Sequence, residues 1–234
     1  MAVGSEIVTK IKSVKSTRKV TTALEMVSAS KIKKAQDQMN ASRPYTRKIR
    51  QIIGHLAKAR PEYKHPFMME QKVDRVGYII ISTDRGLCGG LNSGLFKNAV
   101  IHMREWQSKG ASIDLVTVGN KAANTFKKTD VDLKANIPSL GDKPELTKLI
   151  GVVKVMLDAY ANGELSHVYL VFNDFVNSMT QKPTIDQLLP LPASDETEIT
   201  ENWDYLYEPE AKVVLDQLLN RYIESLVYQG VLEN

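Results

Sequence analysis

Apolar or small residues recur in steps of three and four from the start of this chain: Val3, Ile7, Ile11, Val14, Thr17, Thr21, Leu24, Ser28, Ile32, Ala35 and Met39. A seam at that spacing is the mark of a coiled-coil helix. It persists to about residue 57. A helix of that extent reaches on the order of 80 Å at ~1.5 Å per residue. A compact domain cannot bury it, so it must protrude or pair with another helix. Pro44 predicts a kink or a short break. Arg60-Pro61 predicts the end of the segment.

Charge divides the chain in the same place. Residues 1–60 carry 14 Lys/Arg against 3 Asp/Glu, and the remainder carries 17 against 24. The basic first part and the acidic second part are electrically different objects. Hydrophobic residues make up 43% of the 234, which is enough for a core. A single cysteine excludes an internal disulfide. No apolar run approaches the ~20 residues of a membrane span. Lysines occupy the N-terminus where a secretory signal would be apolar.

After residue 60 the period changes. Residues 61–74 hold two prolines and read as a linker. RVGYIIIS, from Arg75, is a β-branched run and predicts a buried strand. A helix is expected over Ser93–Lys109, a strand at SIDLVTVG and a short helix over Asn120–Lys128. A third strand is expected over Val131–Asn136, then a helix from Pro144 to Asn162. HVYLVFNDF and PTIDQLLPL supply a fourth and a fifth strand. Strands alternating with helices predict an α/β domain with a mostly parallel five-stranded sheet. The fifth strand follows without a helix and is expected to be antiparallel. Residues 195–210 carry seven acidic residues and no basic one. Pro209 then suits the start of a final amphipathic helix, with Gly230 as its one stop signal. The expected division is residues 1–60 as the N-terminal helix, 61–74 as linker and 75–194 as an α/β foot. An acidic loop over 195–208 and a final helix over 209–234 complete it.

TDRGLCGGLN, Thr83–Asn92, joins the first strand to the next helix. Strand, glycine loop and helix is the layout of a phosphate site. The spacing of Gly86, Gly89 and Gly90 fits neither dinucleotide nor Walker motifs. A tight turn accounts for the same glycines. Cys88 could act as a nucleophile, but none of His55, His65, His102 and His167 forms a Cys-His signature with it. A surface turn cysteine is the plainer expectation. No metal-binding spacing occurs. Lys10, Lys12, Lys15, Arg18, Lys19, Lys31, Lys33 and Lys34 would suit the phosphates of nucleic acid, an acidic protein partner, or water on a coiled-coil face.

Taken together, these stretches resemble one family, the γ subunit of F-type ATP synthase in its bacterial form. The resemblance rests on KIKSVKSTRKVTTALEMVSASKIKKAQ, STDRGLCGGLN, SRPY, LIGVVKVML, PTIDQLLPLPASD and WDYLYEP. It implies a Rossmann-like foot with N- and C-terminal helices in an antiparallel coiled coil. It implies a non-catalytic rotor shaft without cofactor or metal, coupling rotation of a c-subunit ring to ATP synthesis or hydrolysis on an α/β ring. Expected partners are the α and β subunits, the ε subunit and the c ring, with no nucleic acid. Expected location is peripheral, on the cytoplasmic face of the bacterial inner membrane, held there only through the complex. Lys19, Leu24, Met26, Lys31, Lys33, Lys34, Arg85 and Cys88 are then expected to face β subunits. Asp204, Tyr205, Tyr207 and Glu208 are expected to meet ε and the c ring. Members of that family continue with a further helical segment, so a truncated shaft is expected, with its first thirty or so residues prone to fray or associate. The competing readings are a basic coiled-coil nucleic-acid module and a non-functional stub of the rotor.

Overall fold

The computed structural model describes residues 2–59, 65–129, 131–141, 144–191 and 211–234. The seam folds as one helix, α1, over Ala2–Ala59. The expected break at Pro44 does not occur, because Pro44 lies inside α1. Asn40 and Pro44 are both exposed. Water can therefore serve the carbonyl that the missing proline N–H leaves. On the buried side, Met39, Ile49 and Ile53 hold the turns before and after the proline. Thr17 and Thr21 interrupt the seam, but each hydroxyl donates to a carbonyl of its own helix, Thr17 to Ser13 at 3.1 Å and Thr21 to Thr17 at 2.9 Å. Their polarity is thus satisfied without a partner.

A short 3-10 turn at Pro66–Met68 leads to the sheet. The strands are β1 (Arg75–Ile81), β2 (Ser112–Val118), β3 (Asp132–Ile137), β4 (His167–Asn177) and β5 (Thr180–Leu189). The helices between them are α2 (Leu91–Ser108), α3 (Asn120–Phe126) and α4 (Leu146–Ala161). Their order in the sheet is β3-β2-β1-β4-β5. The first four strands are parallel, with Tyr78 opposite Leu115 on one side and Tyr169 on the other. β5 returns antiparallel to β4. That hairpin is longer than the expected strands because Asn177 builds its turn. Its Oδ1 accepts the N–H groups of Met179 and Thr180, both at 2.9 Å.

Alternation along β1 sorts the core into two layers. Val76, Tyr78 and Ile80 pack with Leu95 and Met103 of α2 and Phe126 of α3. Ile79 and Ile81 face the opposite way, toward α4, the end of α1 and α5 (Ala211–Glu233). α5 therefore lies on the sheet as well as on α1. Gly230 is not a stop signal but a contact point, since a Cβ there would lie 3.1 Å from Ile81 Cδ1. Early α5 meets the linker, where Asp216 pairs with His65 at 3.2 Å. Late α5 reaches Lys31–Met39 of α1 around a shared cleft. The two helices thus run antiparallel, as expected. Toward the N-terminus this cover falls away, and every residue from 4 to 34 is exposed.

Candidate functional site

The loop between β1 and α2 is held by its own side chains. Asn92 on the first turn of α2 donates from Nδ2 to Thr83 Oγ1 at 2.7 Å and to Cys88 Sγ at 3.3 Å. Its Oδ1 accepts the Thr83 N–H at 3.2 Å. Thr83 Oγ1 donates to the Arg85 carbonyl at 2.7 Å. From a distant turn, Ser139 Oγ donates to Asp84 Oδ2 at 2.9 Å. The loop's polar groups thus satisfy one another, which is the requirement of a rigid turn. Asn92 was not singled out, although an Asn just before an expected helix is a capping signal. Ser139 left no signal, because 55 residues separate it from Asp84.

The base of the loop is set by Gly119. Its φ of 94° and ψ of 148° lie where only glycine is comfortable. A Cβ there would fall 2.1 Å from the Ser82 carbonyl oxygen. This close approach lets Ser82 Oγ donate to Val118 O at 3.2 Å and accept the Ala122 N–H at 2.8 Å. The β1 and β2 ends are thereby locked together beneath the loop.

Cys88 is half-buried rather than an exposed turn cysteine, because Asn92 and Thr83 fold over it. The three histidines whose side chains are described find their partners elsewhere. His65 accepts the Phe67 N–H on Nδ1 at 3.1 Å and meets Asp216 through Nε2. His102 Nδ1 lies 2.8 Å from the Tyr78 hydroxyl. His167 packs between Trp106, at 4.8 Å, and Tyr169, at 5.9 Å. Burial holds all three imidazoles below their ordinary value, with the Asp216, Glu105 and Glu70 carboxylates opposing it at His65, His102 and His167 respectively. The Tyr78 phenol is pushed far upward by burial, then by Tyr169 and Glu105. It therefore stays protonated, and its hydroxyl shares a hydrogen bond with His102 Nδ1. Among the described residues, no group of three or more His, Cys, Asp or Glu could hold a metal ion.

A cleft of about 580 Å³ opens where the parallel strands end. Its walls include Lys31, Met39, Thr83, Cys88, Leu140 and Val231. The fold thus puts Lys31 of α1 and Cys88 of the loop on the walls of one cleft. The other basic-helix candidates stand apart from it. Lys19, Met26 and Lys33 recur every seven residues and share one side of α1, while Leu24 and Lys31 share another. All of them are exposed, as is Arg85. Asp204, Tyr205, Tyr207 and Glu208 lie outside the described residues.

The geometry is that of an α/β body carrying a bare, basic helix, with a glycine loop closed on itself. Comparison with known proteins is specific on this point. The family model for ATP synthase matches residues 4–234. The ATP synthase gamma chain of Xanthomonas campestris pv. campestris (strain B100) is 57% identical over 235 residues, covering 100% of this chain and 82% of that protein. The gamma chain of Stenotrophomonas maltophilia (strain R551-3) gives the same figures of 57%, 100% and 82%. This chain belongs to the ATP synthase gamma-chain family. Its fold is that of a chain in the central stalk/c-ring structure of the Tetrahymena thermophila mitochondrial ATP synthase, with a TM-score of 0.65, 19% identity and 92% of each chain covered. No described helix is long and apolar enough to cross a membrane.

Proposed function

We propose that this chain is the central-stalk rotor of a proton-translocating F-type ATP synthase, a non-catalytic subunit that carries rotation between a c-subunit ring and the catalytic α/β ring. The observation that carries this reading is the surface of α1. Residues 4–34 hold eight Lys/Arg against two Glu, and every one of them is exposed. Their apolar side chains are not confined to one stripe. Ile7, Ile11, Val14 and Ile32 follow the seam, while Val8, Met26 and Val27 are exposed well away from it at about 100° per residue. Met26 is 69% exposed. A helix that is apolar on several sides requires cover on several sides. A single partner helix provides one; a surrounding sleeve provides all.

The basic residues specify the sleeve's chemistry as acidic. Exposed ion pairs contribute roughly 0.2–1 kcal/mol each, attractive yet reversible, which suits a shaft that meets and leaves successive subunits. Lys19, Leu24, Met26, Lys31, Lys33, Lys34, Arg85 and Cys88 are assigned to the β subunits. The two sides of α1 they occupy suit contacts with more than one subunit at a time. Residues 75–194 form the foot. Asp204, Tyr205, Tyr207 and Glu208 are assigned to ε and the c ring. The protein is placed on the cytoplasmic face of the inner membrane through that complex. Exposed apolar residues among the lysines favour this sleeve over a nucleic-acid surface. The test is Lys33→Glu with Lys34→Glu in the complex within its own cells. Proton pumping per ATP hydrolysed in inverted vesicles should fall while the isolated sheet stays folded. Unchanged pumping with full assembly would count against the assignment.

A further inference from the structure

Leu87 is the only non-glycine residue with a positive φ among the described residues, at 65°. That left-handed conformation is strained for a branched side chain and is usual only for Gly, Asn or Asp. Strain of this kind persists where surrounding structure over-determines it. Here the clamp of Thr83, Cys88 and Asn92 does so, with Gly89 following in the same region at 59°. Yet the chain itself gains no burial from the leucine, which is 100% exposed. A lone exposed leucine is ordinary. A strained one held out by a rigid hydrogen-bonded loop is not, because glycine or asparagine would fit the backbone better.

Its surroundings repeat the theme. Arg85, two residues earlier, is exposed beside it. β4 lies next to β1 and parallel to it, so the β4–β5 hairpin leaves the same end of the sheet. At the tip of that hairpin Met179 is 91% exposed. We propose that Leu87 is an apolar knob that seats in an apolar pocket on a subunit of the catalytic ring, with a carboxylate on the pocket rim for Arg85. This assignment rests on the rotor reading above and adds a residue that sets how the loop engages. The backbone strain is retained because the side chain binds outside the chain.

The test uses Leu87→Asn in the intact complex and in the purified chain. Asparagine relieves the left-handed strain and removes the apolar knob. The thermal midpoint of the purified chain is expected to rise by about 2–4 °C. Pumping per ATP hydrolysed in inverted vesicles is expected to fall by about fivefold, the size of one lost interface contact of about 1 kcal/mol. Leu87→Ala should lower coupling likewise without raising the midpoint. A lower midpoint with unchanged coupling would make Leu87 a structural residue and overturn the proposal. So would unchanged coupling in both variants. A wild-type chain that does not co-purify with ring subunits would instead overturn the rotor reading itself.

Discussion

Gly119→Ala tests how the loop is positioned. The Cβ would sit 2.1 Å from Ser82 O, 2.8 Å from Ser82 C and 2.8 Å from Ser82 Oγ. Two of these atoms are backbone of the residue that follows β1, so no flexible side chain can swing aside. The φ of 94° adds strain of about 1–3 kcal/mol for a residue with a Cβ. Displacing Ser82 also strains its hydrogen bonds to Val118 O and from Ala122 N–H. Each such bond contributes about 1 kcal/mol net. The combined loss is on the order of 3–5 kcal/mol. The assay is urea unfolding of the purified chain, followed by tryptophan fluorescence and far-UV circular dichroism. Trp106 lies on α2, in the core layer beneath the loop's own sheet face. The expected result is a lower midpoint with an unchanged slope. A loss below about 1 kcal/mol would refute the argument, because it would mean that the β1 and β2 ends can separate cheaply.

Acid should loosen the packing of α2 on the sheet. His102 is held below the ordinary 6.5 by burial, with Glu105 opposing and Lys109 assisting. His167 is lowered in the same way, against Glu70 and with Lys109. The unfolded chain therefore binds protons first, and the stability of the neutral rings is complete above 6.5 and lost as pH falls through the depressed folded values. The thermal midpoint should drop between about pH 7.5 and about pH 5.5, and less so in His102→Gln, whose amide can still hydrogen-bond with Tyr78. An identical drop in that variant would exclude His102. For α1, amide exchange should separate two regions in the isolated chain. Residues 4–34, all exposed, should exchange orders of magnitude faster than Met39–Ile53 and the sheet. Uniform protection along α1 would show that its seam is covered, by self-association or otherwise.

Much of the architecture was legible because it is written in local periods. RVGYIIIS could be read as a buried strand since a run of branched residues fits little else, and it forms β1. Alternation of strands with helices implied parallel pairing, because a helix must carry the chain back across the sheet. The loop was harder. Its glycines announced a turn, but nothing in TDRGLCGGLN announced that Asn92 would hold Cys88, or that Ser139 would reach Asp84. Those contacts depend on where two other elements end. Of the kink or break expected at Pro44, the break is absent for a related reason. The proline's effect on a helix is local, but the packing of Met39 and Ile49 on α5 is not, and the packing prevails.

The sequence by itself determined that a basic, seamed helix precedes an α/β body, since periodicity and charge act between near neighbours. It also determined the family, through stretches spread over nearly the whole chain. Only the tertiary structure decided the strand order β3-β2-β1-β4-β5. It alone laid α5 on the sheet at Gly230, put Lys31 and Cys88 on the walls of one cleft and turned Leu87 outward against its own backbone preference. Each of these is a contact between residues far apart in the chain or a conformation imposed by such contacts. Their energies depend on the whole packed arrangement, and no window of sequence contains it.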